Sequence, residues 1–322
     1  MQAGGRPHVV GGALGIALMP QDGDDAADLL RKADIALYRA KEQRQSAMRF
    51  FEPEMDRGVR ERDRLERDLR SAIEAGAIVA SYQPVADLET GAVRTFEVLA
   101  RWEHPELETI GADRFIPIAE DAGLIAALTD SLLASACAEA ASWPSDVGIV
   151  FKVSPVLLGD PGFGLRVLGL LGRVGLSPNR LELEFTESAI VRDLQGAKNL
   201  FDGLRQAGIR IAVSNFGTGY SSLYHLQNLK LDTIKLDRSF VDAMTTDSGS
   251  AAVVQALLGL GAGLGLHVAA DGIQTDDQRR FLVQRGCTQG QGRLYGEALA
   301  ASEAFDLVRR DKAISMHGRR GR

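Results

Sequence analysis

The segment from Ile211 to Val241 constrains the fold more than any other part of the chain. It contains a short apolar run over 211–213, which is typical of a buried parallel strand, and a second strand pattern over 233–236. Between them lie a glycine-rich loop over 216–222 and leucines at one-face helical spacing, Leu223, Leu226 and Leu229. The second strand pattern is followed by a charged residue, Asp237. The segment therefore predicts a strand–loop–helix–strand unit.

From about residue 77 onward, strand and helix patterns alternate along the chain. This alternation predicts a parallel α/β architecture, for which an eight-stranded TIM-like (β/α)8 barrel fits the strand count. A doubly wound sheet remains open at this point. The strands are expected at 78–82, 94–100, 148–153, 180–185, 209–213, 233–236, 267–270 and 290–295, with helices over 118–143, 155–174 and 194–207.

Composition excludes some classes of function. The formal net charge of −6 offers no overall basic surface for DNA or RNA. The two cysteines, Cys137 and Cys287, lack metal-site spacing, which favours a reduced, cytoplasmic protein. The N-terminus lacks a secretory signal. The apolar segment 253–270 contains Gln255 and His267, so we interpret it as a core helix and strand and expect no membrane segment.

The first fifty residues form a separate piece. A strand is expected over 8–19 and a helix over 26–41, and the string ADIALYRAK resembles the end of a GGDEF (diguanylate cyclase) domain. The GGDEF signature itself is absent, so the resemblance implies a remnant without a cyclase site; an ordinary strand–helix appendage is the alternative. A linker follows, then a charged helix over 57–75. We predict two domains, 1–56 and 57–315.

Several strings occur in the order typical of one family. They are YQPV at 82–85, FEVLARW at 96–102, FIP at 115–117, EFTE at 184–187 and FGTGYSSL at 216–223. Together they resemble the EAL domain family, which hydrolyses the bacterial second messenger cyclic di-GMP. The resemblance implies a TIM-like barrel whose active members use magnesium or manganese.

The resemblance also implies roles for individual residues. Gln83 would face a guanine base, Arg101 a phosphate, and Glu97 and Glu184 a metal, while the lysine at 235 helps to activate water in active members. An aspartate at 113 could reach a base, although capping a helix is the simpler role for it. The expected ligand-binding residues are Gln83, Glu97, Val98, Leu99, Arg101, Asp113, Lys152, Glu184, Asn215, Lys235, Asp237, Asp271 and Gln291.

Several matched positions depart from the family pattern. Lys152 stands where active members have an asparagine ligand, and Ser214 and Asn215 stand where they have two aspartates. Asp271 shortens a glutamate, and Gln274 replaces another. A charged ammonium has no lone pair for a metal, although Lys152 could substitute for a missing cation. We therefore expect neither a metal nor a catalytic residue.

Three functions follow as hypotheses. The leading one is a catalytically inactive EAL domain that acts as a cyclic di-GMP receptor and signals through an unknown protein partner. The second is a protein-interaction module that binds no nucleotide. The third is a weak residual phosphodiesterase, which alone would need magnesium or manganese. A homodimer is compatible with each.

Overall fold

The computed structural model describes residues 2–3, 6–7, 12–42, 47–216 and 229–319. The chain divides into two compact units, Met1–Ser71 and Ala72–Arg322. Helix α2 (Pro53–Ala75) continues across this division. The domain boundary predicted at residues 56 and 57 stays a prediction.

The first unit is built on a small parallel sheet. Strands β3 (Ala13–Ile16) and β4 (Ala47–Phe50) pair in parallel, and helix α1 (Ala26–Glu42) lies against β3. The helix comes so close that a Cβ on Gly15 would lie 2.1 Å from the backbone of α1. A further antiparallel pair joins β1 (Gln2–Ala3) and β2 (Arg6–Pro7). The strand–helix prediction is confirmed, although the strand is shorter than expected and residues 8–11 lie outside the described part.

The second unit is a closed eight-stranded barrel. Its strands follow the spatial order β5-β13-β12-β11-β10-β9-β8-β6, and pairing of β5 with β6 closes the ring. This closure confirms the TIM-like barrel and excludes the open, doubly wound sheet. The barrel strands are β5 (Ile78–Asp87), β6 (Val93–His104), β8 (Gly148–Lys152), β9 (Leu181–Thr186), β10 (Arg210–Phe216), β11 (Thr233–Leu236), β12 (His267–Ala270) and β13 (Gln289–Gln291).

One barrel strand runs against the other seven. Strand β5 is antiparallel to both of its neighbours, β6 and β13. The reason is local: β5 and β6 are joined by a tight turn, in which Asp87 accepts hydrogen bonds from the backbone N–H groups of Glu89 and Thr90. Gly91 in this turn has φ +73°, which favours glycine. A short connection permits only antiparallel pairing, so the expected all-parallel sheet is wrong at this one strand.

Helices and one extra strand surround the ring. Strand β7 (Glu108–Gly111) pairs with the far end of β6 outside the barrel. The predicted helix over 118–143 is two helices, because a turn with Gly123 at φ +69° interrupts it. The helices are α3 (Ala112–Asp121), α4 (Ile125–Ala141), α5 (Phe163–Val174), α6 (Glu187–Arg192), α7 (Leu194–Gln206), α8 (Arg238–Ala243), α9 (Ser248–Leu264), α10 (Asp276–Val283) and α11 (Ala301–Arg319).

The apolar segment 253–270 is a helix followed by a strand, as predicted. Asp247 caps the start of α9 by accepting a hydrogen bond from the backbone N–H of Ser250 at 2.6 Å. Gly265 ends it with φ +68°, and β12 follows. No helix within the described residues combines the length and apolar character needed to cross a membrane.

Candidate functional site

Four polar side chains from four strands meet inside the barrel near its carboxyl end. They come from β6, β9, β11 and β13, which are alternate strands of the ring. Alternate strands fill the interior of such barrels in layers, so this set forms one layer. All four residues are buried, and we call them the inner layer: Glu97, Glu184, Lys235 and Gln291.

The inner layer is held together by its own charges. The Nζ of Lys235 donates to Oε2 of Glu97 at 2.7 Å and to Oε2 of Glu184 at 3.1 Å. The Nε2 of Gln291 donates to the same oxygen of Glu97, and to Oδ1 of Asp271 at 3.1 Å. Every member of the layer therefore has a charged or hydrogen-bonded partner, as buried polar groups require.

The same contacts shift the pKa values of Glu97 and Lys235. Burial raises the pKa of Glu97, but the Lys235 ammonium and the Gln291 amide have a larger opposing effect. The pKa of Glu97 therefore lies below its ordinary value. Burial lowers the pKa of Lys235, but Glu184 and Glu97 outweigh this and hold the pKa above its ordinary range. The barrel thus encloses the Lys235 ammonium together with two glutamates that it contacts.

A second set of polar residues follows the other four strands. It consists of Gln83, Lys152, Ser214 and Asp271, which come from β5, β8, β10 and the residue after β12. We call this set the mouth layer, because three of its members are exposed or half-buried. The exception is Ser214, whose buried hydroxyl has no hydrogen-bond partner among the described residues. Burial raises the pKa of Asp271 and outweighs the opposing effect of Lys235.

Two cavities adjoin these layers, and they share Glu97 and Leu99. A polar cleft of about 380 Å³ is lined by Gln83, Asp271 and Gln291. A largely apolar cavity of about 260 Å³ lies on the other side of β6, and Lys152 is part of its lining. Members of both layers therefore line cavities at the carboxyl end of the barrel.

Other predicted ligand-binding residues lie outside these layers. The Nε of Arg101, an exposed side chain at the end of β6, donates to the hydroxyl of Ser81 at 3.0 Å. Asp113 is exposed in the first turn of α3. The carboxylate of Asp237 caps α8 by accepting from the backbone N–H of Ser239 at 2.8 Å, which is a structural role that its position after a strand did not reveal.

Two further predictions concern the segment around β10. Asn215 has φ +55°, a left-handed conformation that asparagine tolerates better than most residues. The predicted loop and helix that follow lie outside the described residues from position 217 to 228. Val98 lines only the apolar cavity, because alternation along β6 turns it away from the barrel interior.

The sequence analysis missed several residues that line the region. Arg238 and Arg293 line the polar cleft. Glu120 lines the apolar cavity and accepts a hydrogen bond from the hydroxyl of Ser154 at 2.5 Å. The only sequence signal for these residues was their proximity to matched motifs, since Arg293 follows Gln291 and Glu120 lies just beyond the FIP string.

The donor set does not favour a divalent cation. Both inner carboxylates already contact the Lys235 ammonium, and Asp271 accepts a hydrogen bond from Gln291. At the two positions where active members have aspartates, Ser214 offers a neutral hydroxyl and Asn215 a neutral amide oxygen, whereas magnesium is bound in proteins chiefly through carboxylates. Within the described ranges, no group of three or more His, Cys, Asp or Glu side chains could hold a metal ion.

Comparison with known proteins identifies similar chains. The model of the EAL domain matches residues 66–298, and that of the diguanylate cyclase GGDEF domain matches residues 1–47. An uncharacterized signaling protein of Caulobacter vibrioides is 44% identical over 91% of this chain. The bifunctional diguanylate cyclase/cyclic di-GMP phosphodiesterase MucR of Pseudomonas aeruginosa is 36% identical over 93% of it. The chain spans 36% and 44% of the length of these two relatives.

A solved structure supports the same likeness. The phosphodiesterase PaMucR in complex with c-di-GMP aligns with a TM-score of 0.73 and 36% sequence identity. The alignment covers 75% of this chain and 99% of that structure. The match thus extends over nearly all of the solved chain.

Proposed function

The chain belongs to the EAL domain family, and from that premise we propose that it binds cyclic di-GMP as a receptor without hydrolysing it. Active members of the family use magnesium or manganese. The observation that carries the proposal is the change at the mouth of the barrel, where Lys152, Ser214 and Asn215 stand at positions that hold metal ligands in active members. Hydrolysis needs a water that is activated by a bound metal, and this chain offers such a metal few uncommitted ligands.

The pattern of substitutions supports the loss of hydrolysis. The inner layer keeps the residues that the family resemblance implies, whereas the mouth layer has changed. At the mouth, Lys152 adds a positive charge, and Ser214 supplies a neutral hydroxyl where a carboxylate is usual. The substitutions in this chain therefore change the positions that bind metal in active members more than they change the shape of the pocket.

The residues that face the cleft support the retention of binding. Gln83, Leu99 and Gln291 line it, and an amide can both donate to and accept from the edge of a guanine base. Outside the lining of the cleft, in the part of β6 that pairs with β7, Arg101 offers a planar guanidinium that suits a phosphate. Two further guanidinium groups, those of Arg238 and Arg293, add positive charge to the lining.

Isothermal titration of the full chain with cyclic di-GMP, in the presence of a chelator, tests the binding. GMP serves as a ligand control, because it has one guanine and one phosphate, whereas the cyclic dinucleotide has two of each. We expect saturable binding of the cyclic dinucleotide alone. Absence of heat at tens-of-micromolar ligand, with a folded sample, would exclude the receptor and favour an interaction module that binds no nucleotide.

Chromatography of the nucleotide after incubation with manganese tests the hydrolysis. We expect cyclic di-GMP to be recovered intact. Accumulation of linear pGpG by the chain, and its disappearance in the Glu97→Ala variant, would establish a residual phosphodiesterase instead.

We further propose a cytoplasmic location and a signal passed on through a protein partner or a second copy of the chain. Both cysteines are buried and free, which suits a reducing compartment. Co-purification of a partner whose binding changes with cyclic di-GMP would test this part of the proposal.

A further inference from the structure

Two lysines at the carboxyl end of the barrel have different surroundings. Lys235 is buried, and its ammonium contacts both Glu97 and Glu184. Lys152 ends β8 and is exposed, and its ammonium makes neither a hydrogen bond nor an ion pair with any residue that the structure describes. Lys235 is thus engaged by the protein, and the ammonium of Lys152 is available to contact a ligand.

Strand pairing places Lys152 beside the same carboxylates. It lies opposite Glu184 in the parallel pairing of β8 with β9, so both side chains project to the same side of the sheet. Its charge acts on Glu97, whose pKa it helps to lower. Lys152 and Glu97 also line one cavity, and Glu97 is shared with the polar cleft. Lys152 is therefore next to the region where a ligand of the cleft would lie.

A divalent cation would have to enter this position against two fixed positive charges. The inner carboxylates are engaged by Lys235, Ser214 offers only a neutral oxygen, and the Lys152 ammonium has no lone pair. The charged residues present do not fit the divalent metal that the family resemblance implies.

We infer that Lys152 replaces the divalent metal of the family as the phosphate-binding cation, while Lys235 neutralises the carboxylates behind it. An ammonium presents three donors to phosphate oxygens and forms the shorter, stronger hydrogen bonds of charged pairs. Without the Lys152 charge, less positive charge would offset Glu97, Glu184 and Asp271 when a phosphate approaches, because Lys235 already contacts the two glutamates. The inference rests on the proposed function, because it assigns a contact of the same ligand.

The first experiment measures the affinity for cyclic di-GMP by isothermal titration, with chelator and with millimolar magnesium. For the wild-type chain we expect equal affinity under both conditions. Lys152→Gln should weaken binding about tenfold or more with chelator, since each factor of ten corresponds to about 1.4 kcal/mol. Lys198→Gln, which changes an exposed lysine on α7, is the matched control and should bind as the wild type does. Thermal denaturation verifies that each variant is folded.

The second experiment measures Mn²⁺ binding without nucleotide, by electron paramagnetic resonance. We expect the wild-type chain to leave Mn²⁺ free, and the combined variant Lys152→Asn, Ser214→Asp, Asn215→Asp to bind it. If the combined variant does not fold, Lys152→Asn alone serves, because it removes the repelling charge from an exposed position.

The outcomes separate the two proposals. A Lys152→Gln variant that binds cyclic di-GMP as tightly as the wild type overturns the inference and leaves the receptor intact. A wild-type affinity that falls tenfold with chelator, or Mn²⁺ bound by the wild-type chain, also overturns it. If the wild type binds no nucleotide under either condition, the proposed function fails, and the role of Lys152 fails with it.

Discussion

The two glutamates of β9 lie two residues apart on one strand, yet the barrel surrounds them differently. Glu184 belongs to the inner layer and contacts the Lys235 ammonium at 3.1 Å. Glu182 lies one layer nearer the amino end and accepts a hydrogen bond from the hydroxyl of Thr233 at 3.0 Å. Each partner comes from β11, again two residues apart. The layer around Glu182, here the amino-side layer, consists of Thr95, Glu182, Thr233 and Gln289.

The ionisation of the two layers differs accordingly. Burial raises the pKa of Glu182, and this effect outweighs the nearby Arg210 guanidinium, whose Nε is 3.5 Å from Oε2 of Glu182. In the inner layer, the pKa of Glu97 is lowered, because an ammonium is in direct contact. The comparison teaches that a hydrogen-bonded ammonium outweighs the effect of burial on the pKa of a glutamate inside this barrel, whereas a guanidinium at 3.5 Å does not.

The largest expected effect follows from removing that cation. Lys235→Met would leave Glu97 and Glu184 buried without their counter-charge, and breaking a buried ion pair in this way costs about 3–5 kcal/mol. Thr233→Val, two residues earlier on the same strand, removes only one hydrogen bond and should cost about 0.5–1.5 kcal/mol. Chemical denaturation of both variants measures the difference. Equal costs would mean that the two layers do not differ as we describe.

A second prediction separates binding from stability with two arginines. Arg101→Ala should weaken cyclic di-GMP binding by about 1.5–3 kcal/mol, the range for charge-assisted hydrogen bonds, with little change in stability. Arg210→Ala, beside the amino-side layer, should instead lower stability and leave affinity unchanged, since Arg210 is at the other end of β10 from the ligand. A large fall in Tm for Arg101→Ala without a change in affinity would make Arg101 structural.

The smallest effect concerns the pH dependence of stability. The folded-state pKa of Glu182 is raised above its ordinary value of 4.5, so ionising it disfavours the folded chain as pH rises through that pKa. Glu182→Gln cannot ionise, so it should be more stable than the wild type at neutral pH by up to about 2–4 °C in Tm, the shift that ~1 kcal/mol produces in a unit of this size. The advantage should disappear well below pH 4.5.

In the inner layer, the corresponding substitution is expected to change Tm in the opposite direction. Glu184→Gln should lower Tm at neutral pH, because Lys235 then loses one of its two carboxylates. Thermal denaturation across pH measures both variants. A wild type that is more stable than Glu182→Gln at neutral pH would show that the Arg210 guanidinium, not burial, controls this carboxylate.

The sequence by itself determined the elements and the family. Strand and helix periodicity acts over a few residues, so it can be recognised from the chain alone. The same holds for the changes at Lys152, Ser214 and Asn215, because a substitution in a recognised motif requires no coordinates. What could not be predicted locally was the antiparallel course of β5, which we had not distinguished from its neighbours.

The tertiary structure alone decided which charges meet. Lys235 and Glu97 are 138 residues apart in the chain and come into contact only when β5 and β6 close the ring. The fold also shows that Asp237, a predicted ligand-binding residue, caps α8, while its role toward a ligand stays a prediction. The physical reason is that layers inside a barrel join alternate strands, so partners are set by the stagger and closure of the sheet and not by distance along the chain.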